Sequence, residues 1–169
     1  MRTPIVWDIR TVVELMRLEG EEKPYYEYGH RLEIANTLTE KEGTQYKYRR
    51  YPLVALRLDI PEKLINGLQQ VSLNVAFITF TDENYKASQR YEKVLVPILY
   101  PMVEKFFVCL KKSGIFTWEG HQQYPPCDPI DRPYWGIPDT EGNIKNIFQD
   151  PIDAIELIDL KLNKRPKCI

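Results

Sequence analysis

The residues best suited to chemistry are four near the C-terminus: Asp153, Glu156, Asp159 and Lys161. An acidic residue followed two positions later by lysine on a strand is the pattern of a metal-dependent phosphodiester-cleaving edge. There the carboxylates hold Mg²⁺ and the lysine steadies the attacked phosphate. The spacing here is too compressed for that arrangement, and no separate upstream acid is placed to complete it. Alternating charges on the solvent face of a strand account for the same four residues, and that is the expectation.

Two further constellations fare no better. His121 and Cys127, with His30 far away, could be imagined as zinc ligands. A structural zinc site needs four ligands at motif spacing. Only Cys109 and Cys168 remain, one on a helical pattern and one at the terminus. A Cys–His nucleophile pair has no supporting context, and glycine-rich phosphate loops are absent. Tyr46, Lys47, Tyr48, Arg49, Arg50 and Tyr51 interleave three basic residues with three aromatics, which suits phosphate contacts and base stacking. A solvated strand entry, or a basic patch meeting an acidic neighbour, suits them better. We therefore expect no enzyme, no cofactor and no metal.

The elements that must position these residues follow from periodicity. Thr3 and Pro4 read as a helix start, with Thr as cap and Pro at the first helical position. Ile5, Ile9, Val12, Val13 and Met16 then share a face, and Gly20 stops the helix. Residues 26–41 fit both an alternating strand and a short helix; a strand at 25–28 and a helix at about 30–41 are expected. Residues 53–60 form a strand bounded by Pro52 and Pro61, with Val54, Leu56, Leu58 and Ile60 on one face. Residues 71–81 form a second, antiparallel to the first. Asn66-Gly67 is a strong turn dipeptide between them, in a connection expected to exceed two residues.

Residues 85–114 carry the longest pattern. Tyr91, Val94, Leu95, Ile98, Leu99, Met102, Val103, Phe106, Phe107 and Leu110 recur at three and four residues without losing phase. Pro97 and Pro101 lie inside it, so the expectation is one kinked helix or two helices broken near Val96-Pro97. Lys111 and Lys112 suit the negative end of the helix dipole, and Gly114 is a left-handed stop. Residues 115–151 hold 6 of the 13 prolines and six aromatics, with six acidic residues against two basic. Such a segment reads as an extended arm or binding loop, and its aromatics argue against simple disorder. Residues 152–162 read as a strand buried on both faces in mid-sheet, the alternative being a helix that starts at Asp150-Pro151.

At 169 residues the chain is expected to be a single domain, 1–169, with 115–151 an arm within it. A net charge of −1 excludes a global basic footprint for nucleic acid. Three scattered cysteines fit a reducing compartment better than a disulfide framework. The N-terminus lacks the apolar run of a signal peptide, and no run approaches the ~20 apolar residues of a membrane span. A soluble protein made in the cytoplasm is the expectation.

Several words of the sequence carry a resemblance. Tyr51-Pro52-Leu53, Arg90-Tyr91-Glu92-Lys93, Pro97-Ile98-Leu99-Tyr100-Pro101, Asp131-Arg132-Pro133-Tyr134-Trp135-Gly136 and Asp153-Ala154-Ile155-Glu156 are the most specific. Over about residues 25–163 the chain resembles a protein family of tailed phages and prophages of Bacteroidales-type bacteria. Its element order is similar to that of tail-terminator and other head–tail joining (neck) proteins. That resemblance implies a virion protein acting as a homo-oligomeric ring of six or twelve copies between the portal or head connector and the tail. DNA would pass only transiently through its lumen, and no membrane would be involved. The alternatives are a phage nucleic-acid-binding or nuclease-like protein, or another virion component such as a head-completion adaptor or tail-tube protein. Ring contacts need different surfaces on the two sides of each copy. The candidate interface residues are Arg49, Arg50, Trp118, Tyr124, Asp131, Arg132, Tyr134 and Trp135. In a ring, the basic 46–51 patch of one copy would meet the acidic 115–151 region of the next. The opposing expectation is that the arm folds back over its own sheet.

The fold expected is α+β, an antiparallel or mixed sheet of about four strands. The long helix, kinked or broken, and N-terminal helices cover it, and an aromatic, proline-rich arm extends from it.

Overall fold

The computed structural model describes residues 3–30, 32–34, 51–120, 122–135 and 151–164. Helix α1 (Ile5–Glu19) places Ile5, Ile9, Val12, Val13 and Met16 in the core, as their spacing requires. Pro4 takes the cap position rather than the first helical turn, while Thr3 Oγ1 donates to Asp8 Oδ1 at 2.9 Å. The expected helix at 30–41 lies largely outside the described residues.

The protein is α+β, with a mixed sheet of seven strands among the described residues rather than about four. Strands β1 (Tyr25–Gly29), β2 (Leu53–Arg57), β3 (Glu62–Ile65), β4 (Leu68–Phe80), β5 (Phe116–Thr117), β6 (Asp128–Arg132) and β7 (Ile152–Lys164) make it up. The two 13-residue strands β4 and β7 pair antiparallel at the centre. On the far edge of β4 lie β2 and β3 end to end, with β1 added parallel to β2. On the far edge of β7 lie β6 and β5, both antiparallel to it.

Three extra strands account for the difference in count. The connection at Asn66-Gly67 is only two residues long, because φ of 51° and 77° there makes the tight turn whose twist matches its flanking strands. That frees 62–65 to form β3, whereas the preceding strand stops at Arg57 instead of Ile60. β5 and β6 come from the expected arm. Their short, proline-bearing sequences have no period, and the exposed edge of β7 supplies the pairing that their own pattern does not.

The helical run from Ala87 to Lys112 is unbroken. Helix α2 (Ala87–Arg90) widens into a π-helical stretch, Tyr91–Leu99, then tightens into α3 (Tyr100–Lys112). Pro97 lies in the wide stretch, and Pro101 lies in the first turn of α3. In an α-helix interior a proline ring strikes the carbonyl four residues back and costs about 3 kcal/mol. A π register moves that carbonyl out of the way, and the Tyr100 N–H bonds to Leu95 O, five residues back. Val94, Leu95 and Leu99 are buried across the same stretch, each contributing roughly 1.5–3 kcal/mol. Packing therefore outweighs the prolines without a break. Gly114, at φ 68°, ends the run as expected.

The sheet has two unlike faces. On one, α1 and the long helical run bury Val54, Leu56, Val71, Leu73, Val75, Phe77, Ile155, Leu157, Leu160 and Leu162 in the main core. Phe77 and Phe106 meet edge to face there, ring centroids 5.2 Å apart. The opposite face carries a smaller cluster of Leu53, Ala55, Ala76, Ile78, Ile152 and Ala154 under Ile34 and Trp135.

A bulge in β7 explains its uneven pattern. Leu73 pairs with Leu160 but Val75 pairs with Leu157, so one β4 residue faces two on β7. Asp159 sits there at φ 53°, its N–H on Asn74 Oδ1 at 3.0 Å. The inserted residue flips the phase, which returns Leu160 and Leu162 to the core face already used by Ile155 and Leu157.

Candidate functional site

Asp153 and Glu156 are not on a solvent face. They are 0% and 2% exposed and lie on opposite sides of β7. Asp153 shares the side of Ile155, toward the helices. Glu156 pairs in register with Ala76 and Ile130 and lies on the other side. The expectation of alternating solvated charges holds for Lys161, which is exposed, and in part for Asp159, which is half-buried; the two ion-pair at 3.3 Å.

Each of these two buried carboxylates is held by arginine. Arg90, fully buried at the end of α2, donates from Nη1 to Asp153 Oδ1 at 2.6 Å. Its Nε donates to Tyr85 O at 3.0 Å and its Nη2 to Asp82 O at 3.3 Å, tying the turn before the helix to β7. The Tyr134 ring covers the guanidinium at 3.8 Å, and the Tyr134 N–H donates to Asp153 Oδ1 at 2.9 Å. Tyr134 takes φ 61° to make both contacts. On the other side, Arg57 Nη1 reaches Glu156 Oε1 at 2.7 Å and Arg132 Nε reaches Oε2 at 3.3 Å.

A third acid bridges sheet and helix. Asp131 Oδ2 accepts from Tyr100 Oη at 2.8 Å and Tyr91 Oη at 3.1 Å. Burial, then the hydrogen bond to this carboxylate, pushes the Tyr100 hydroxyl up to about 12, and Tyr91 is raised for the same reasons. At the bulge, the Ser72 hydroxyl donates to Asp159, and this bond, then Lys161, holds the Asp159 carboxyl below its usual range. A cleft of about 480 Å³ opens here between the β3–β4 hairpin and β7, lined by Lys63, Gln70, Ser72, Asp159 and Lys161 among others.

The candidate interface residues separate into groups. Arg49 and Arg50 lie outside the described residues, as does most of the 46–51 patch. Asp131, Arg132, Tyr134 and Trp135 are brought together around β6 and the start of β7, in the contacts above; Trp135 is 7% exposed and its N–H donates to Ile152 O at 3.0 Å. Trp118 packs on the edge of the main core with its indole N–H on Gln122 O at 3.1 Å. Tyr124 packs its ring at a tilt against Phe107, centroids 5.1 Å apart, and stays 40% exposed. The described part of the expected arm thus lies against its own sheet. Among the described residues no group of three or more His, Cys, Asp or Glu is placed to hold a metal. Cys109 is buried and Cys127 half-buried; burial raises both thiols.

Sequence reasoning missed Arg90 and Arg57. Arg90 had left a signal, since it stands four residues before Val94 and so in phase with the apolar seam. Arg57 left none. The exposed apolar tip of the hairpin was also missed: Leu64, Ile65 and Leu68 are 77%, 44% and 39% exposed. No helix among the described residues is long and apolar enough to cross a membrane. No family model matches the chain, and no curated protein matches it in sequence.

Proposed function

We propose that the chain is a structural subunit of a tailed-phage virion, one of six or twelve copies in a ring at the neck, joining head connector to tail. The observation that carries this reading is the order and placement of the elements. An N-terminal helix, antiparallel strands, one long helical run, an aromatic segment and a closing strand inserted mid-sheet resemble the plan of tail-terminator proteins. The charged centre supports the same reading. Asp153 and Glu156 each spend their charge on arginine, and Asp131 spends its hydrogen bonds on two tyrosines. Such pairing locks the 128–135 segment to the sheet and helix, as a part under mechanical load requires.

The test is disruption of the gene in the phage that carries it. Filled heads and separate, unjoined tails are expected. Intact infectious particles would overturn the assignment, as would Mg²⁺-dependent DNA cleavage by the purified chain.

A further inference from the structure

The two ends of β4 carry complementary surfaces. At its start, the two-residue turn projects a hairpin tip in which Leu64, Ile65 and Leu68 are all substantially exposed. Leu64 pairs in register with Gln69, and Ile65 with Leu68, so the tip is apolar on both faces. Single exposed apolar residues are ordinary, but three clustered on both faces of one tip form a patch of the kind that interaction sites use. Its flanking residues are Glu62 and Lys63.

At the other end of β4 lies an open groove of about 630 Å³. Phe80, Val94, Ile98 and Pro151 form its apolar lining, and Phe80 is 47% exposed. Asp82, Glu83 and Lys93 stand around it. Thirteen residues of strand separate tip from groove, on the order of 40 Å. One molecule cannot join the two. A second copy can, with Lys63 toward Asp82 and Glu83.

We infer that the hairpin tip of one copy docks in the Phe80 groove of the next. This is a head-to-tail contact between unlike surfaces, which closes into a ring or continues as a filament according to the rotation per copy. It deepens the proposed neck-ring function and rests on that reading only for closure.

The experiment uses the full chain with Leu64→Glu, Phe80→Glu and Ile98→Glu, followed by sedimentation velocity and native mass spectrometry. Leu64 and Phe80 are exposed, so both variants should keep the wild-type circular dichroism. Wild type is expected to self-associate, and Leu64→Glu or Phe80→Glu to weaken that at least ~30-fold, the scale of an interface hot spot. An equimolar mixture of Leu64→Glu and Phe80→Glu should then form a 1:1 dimer that grows no further. Such a mixture retains one intact tip and one intact groove. Ile98→Glu should mix with Leu64→Glu in the same way. A mixture that stays monomeric would overturn the contact, as would variants that assemble like wild type or a wild-type chain that is monomeric at every concentration. Open filaments would uphold the contact while removing the ring. Closed rings unaffected by Leu64→Glu would do the reverse.

Discussion

Asp153 and Glu156 stand three residues apart on one strand, both buried, yet the two faces of the sheet treat them differently. Asp153 meets a single arginine that is itself sealed, with 0% exposure for both side chains, under the helical run and the Tyr134 ring. Glu156 meets two arginines whose side chains remain 34% and 41% exposed. In the first pair neither partner can fall back on water. In the second, both cations can. The same chemistry is therefore a strict constraint on the helix side and a lenient one on the open side. The difference lies in what covers the cations, since the acids are equally buried.

The largest expected effect breaks this comparison from the sealed side. Arg90→Met leaves Asp153 buried without its counter-charge and should cost about 3–5 kcal/mol in chemical denaturation. Pairing it with Asp153→Leu should recover most of that loss, because two apolar groups replace the ion pair. A loss below about 1 kcal/mol for the single change would mean that water reaches Asp153 after all.

A smaller effect belongs to the open side. Glu156→Gln should cost only about 1–2 kcal/mol, because Arg57 and Arg132 can turn to solvent. If the same denaturation series shows it equal to Arg90→Met, the contrast between the faces is lost.

The smallest effect concerns Asp131, where sheet and helix meet at the surface. The Tyr100 hydroxyl has its folded pKa raised to about 12 against an unfolded value near 10. Folding therefore favours the protonated form. That contribution is complete below about pH 10 and is lost as pH rises toward 12. Tyrosinate absorbance should show Tyr100 among the late-titrating tyrosines, and Asp131→Asn should bring its titration earlier. An unchanged midpoint would leave burial as the whole cause.

Much of this was legible in the residues. The buried face of α1, the strand character of 152–162, the antiparallel pairing of β2 with β4 and the stop at Gly114 all follow from spacing that a few neighbouring residues define. The unbroken phase of the 91–110 seam likewise implied a helical apolar face strong enough to carry two prolines, although the π register that accommodates Pro97 was not readable. β3, β5 and β6 were invisible as patterns. Four or five residues with proline or mixed polarity have no period of their own, and they become strands because a neighbouring edge offers hydrogen bonds.

The charges divide the same way. Types and spacing favoured a strand over a helix for Asp153, Glu156, Asp159 and Lys161, and for their charges sequence alone went no further than alternation into solvent. Burial came from partners 63, 99 and 24 residues away, Arg90, Arg57 and Arg132, together with a bulge at Asp159 that changes the phase of the strand. Sequence by itself determined the elements whose stability is local: periodicity acts over a turn or two of chain, where neighbours in sequence are neighbours in space. Tertiary structure alone decided which acid is sealed, which stays near water and which ends of the sheet are left apolar, because desolvation depends on everything packed around a group and the chain brings those atoms from distant positions.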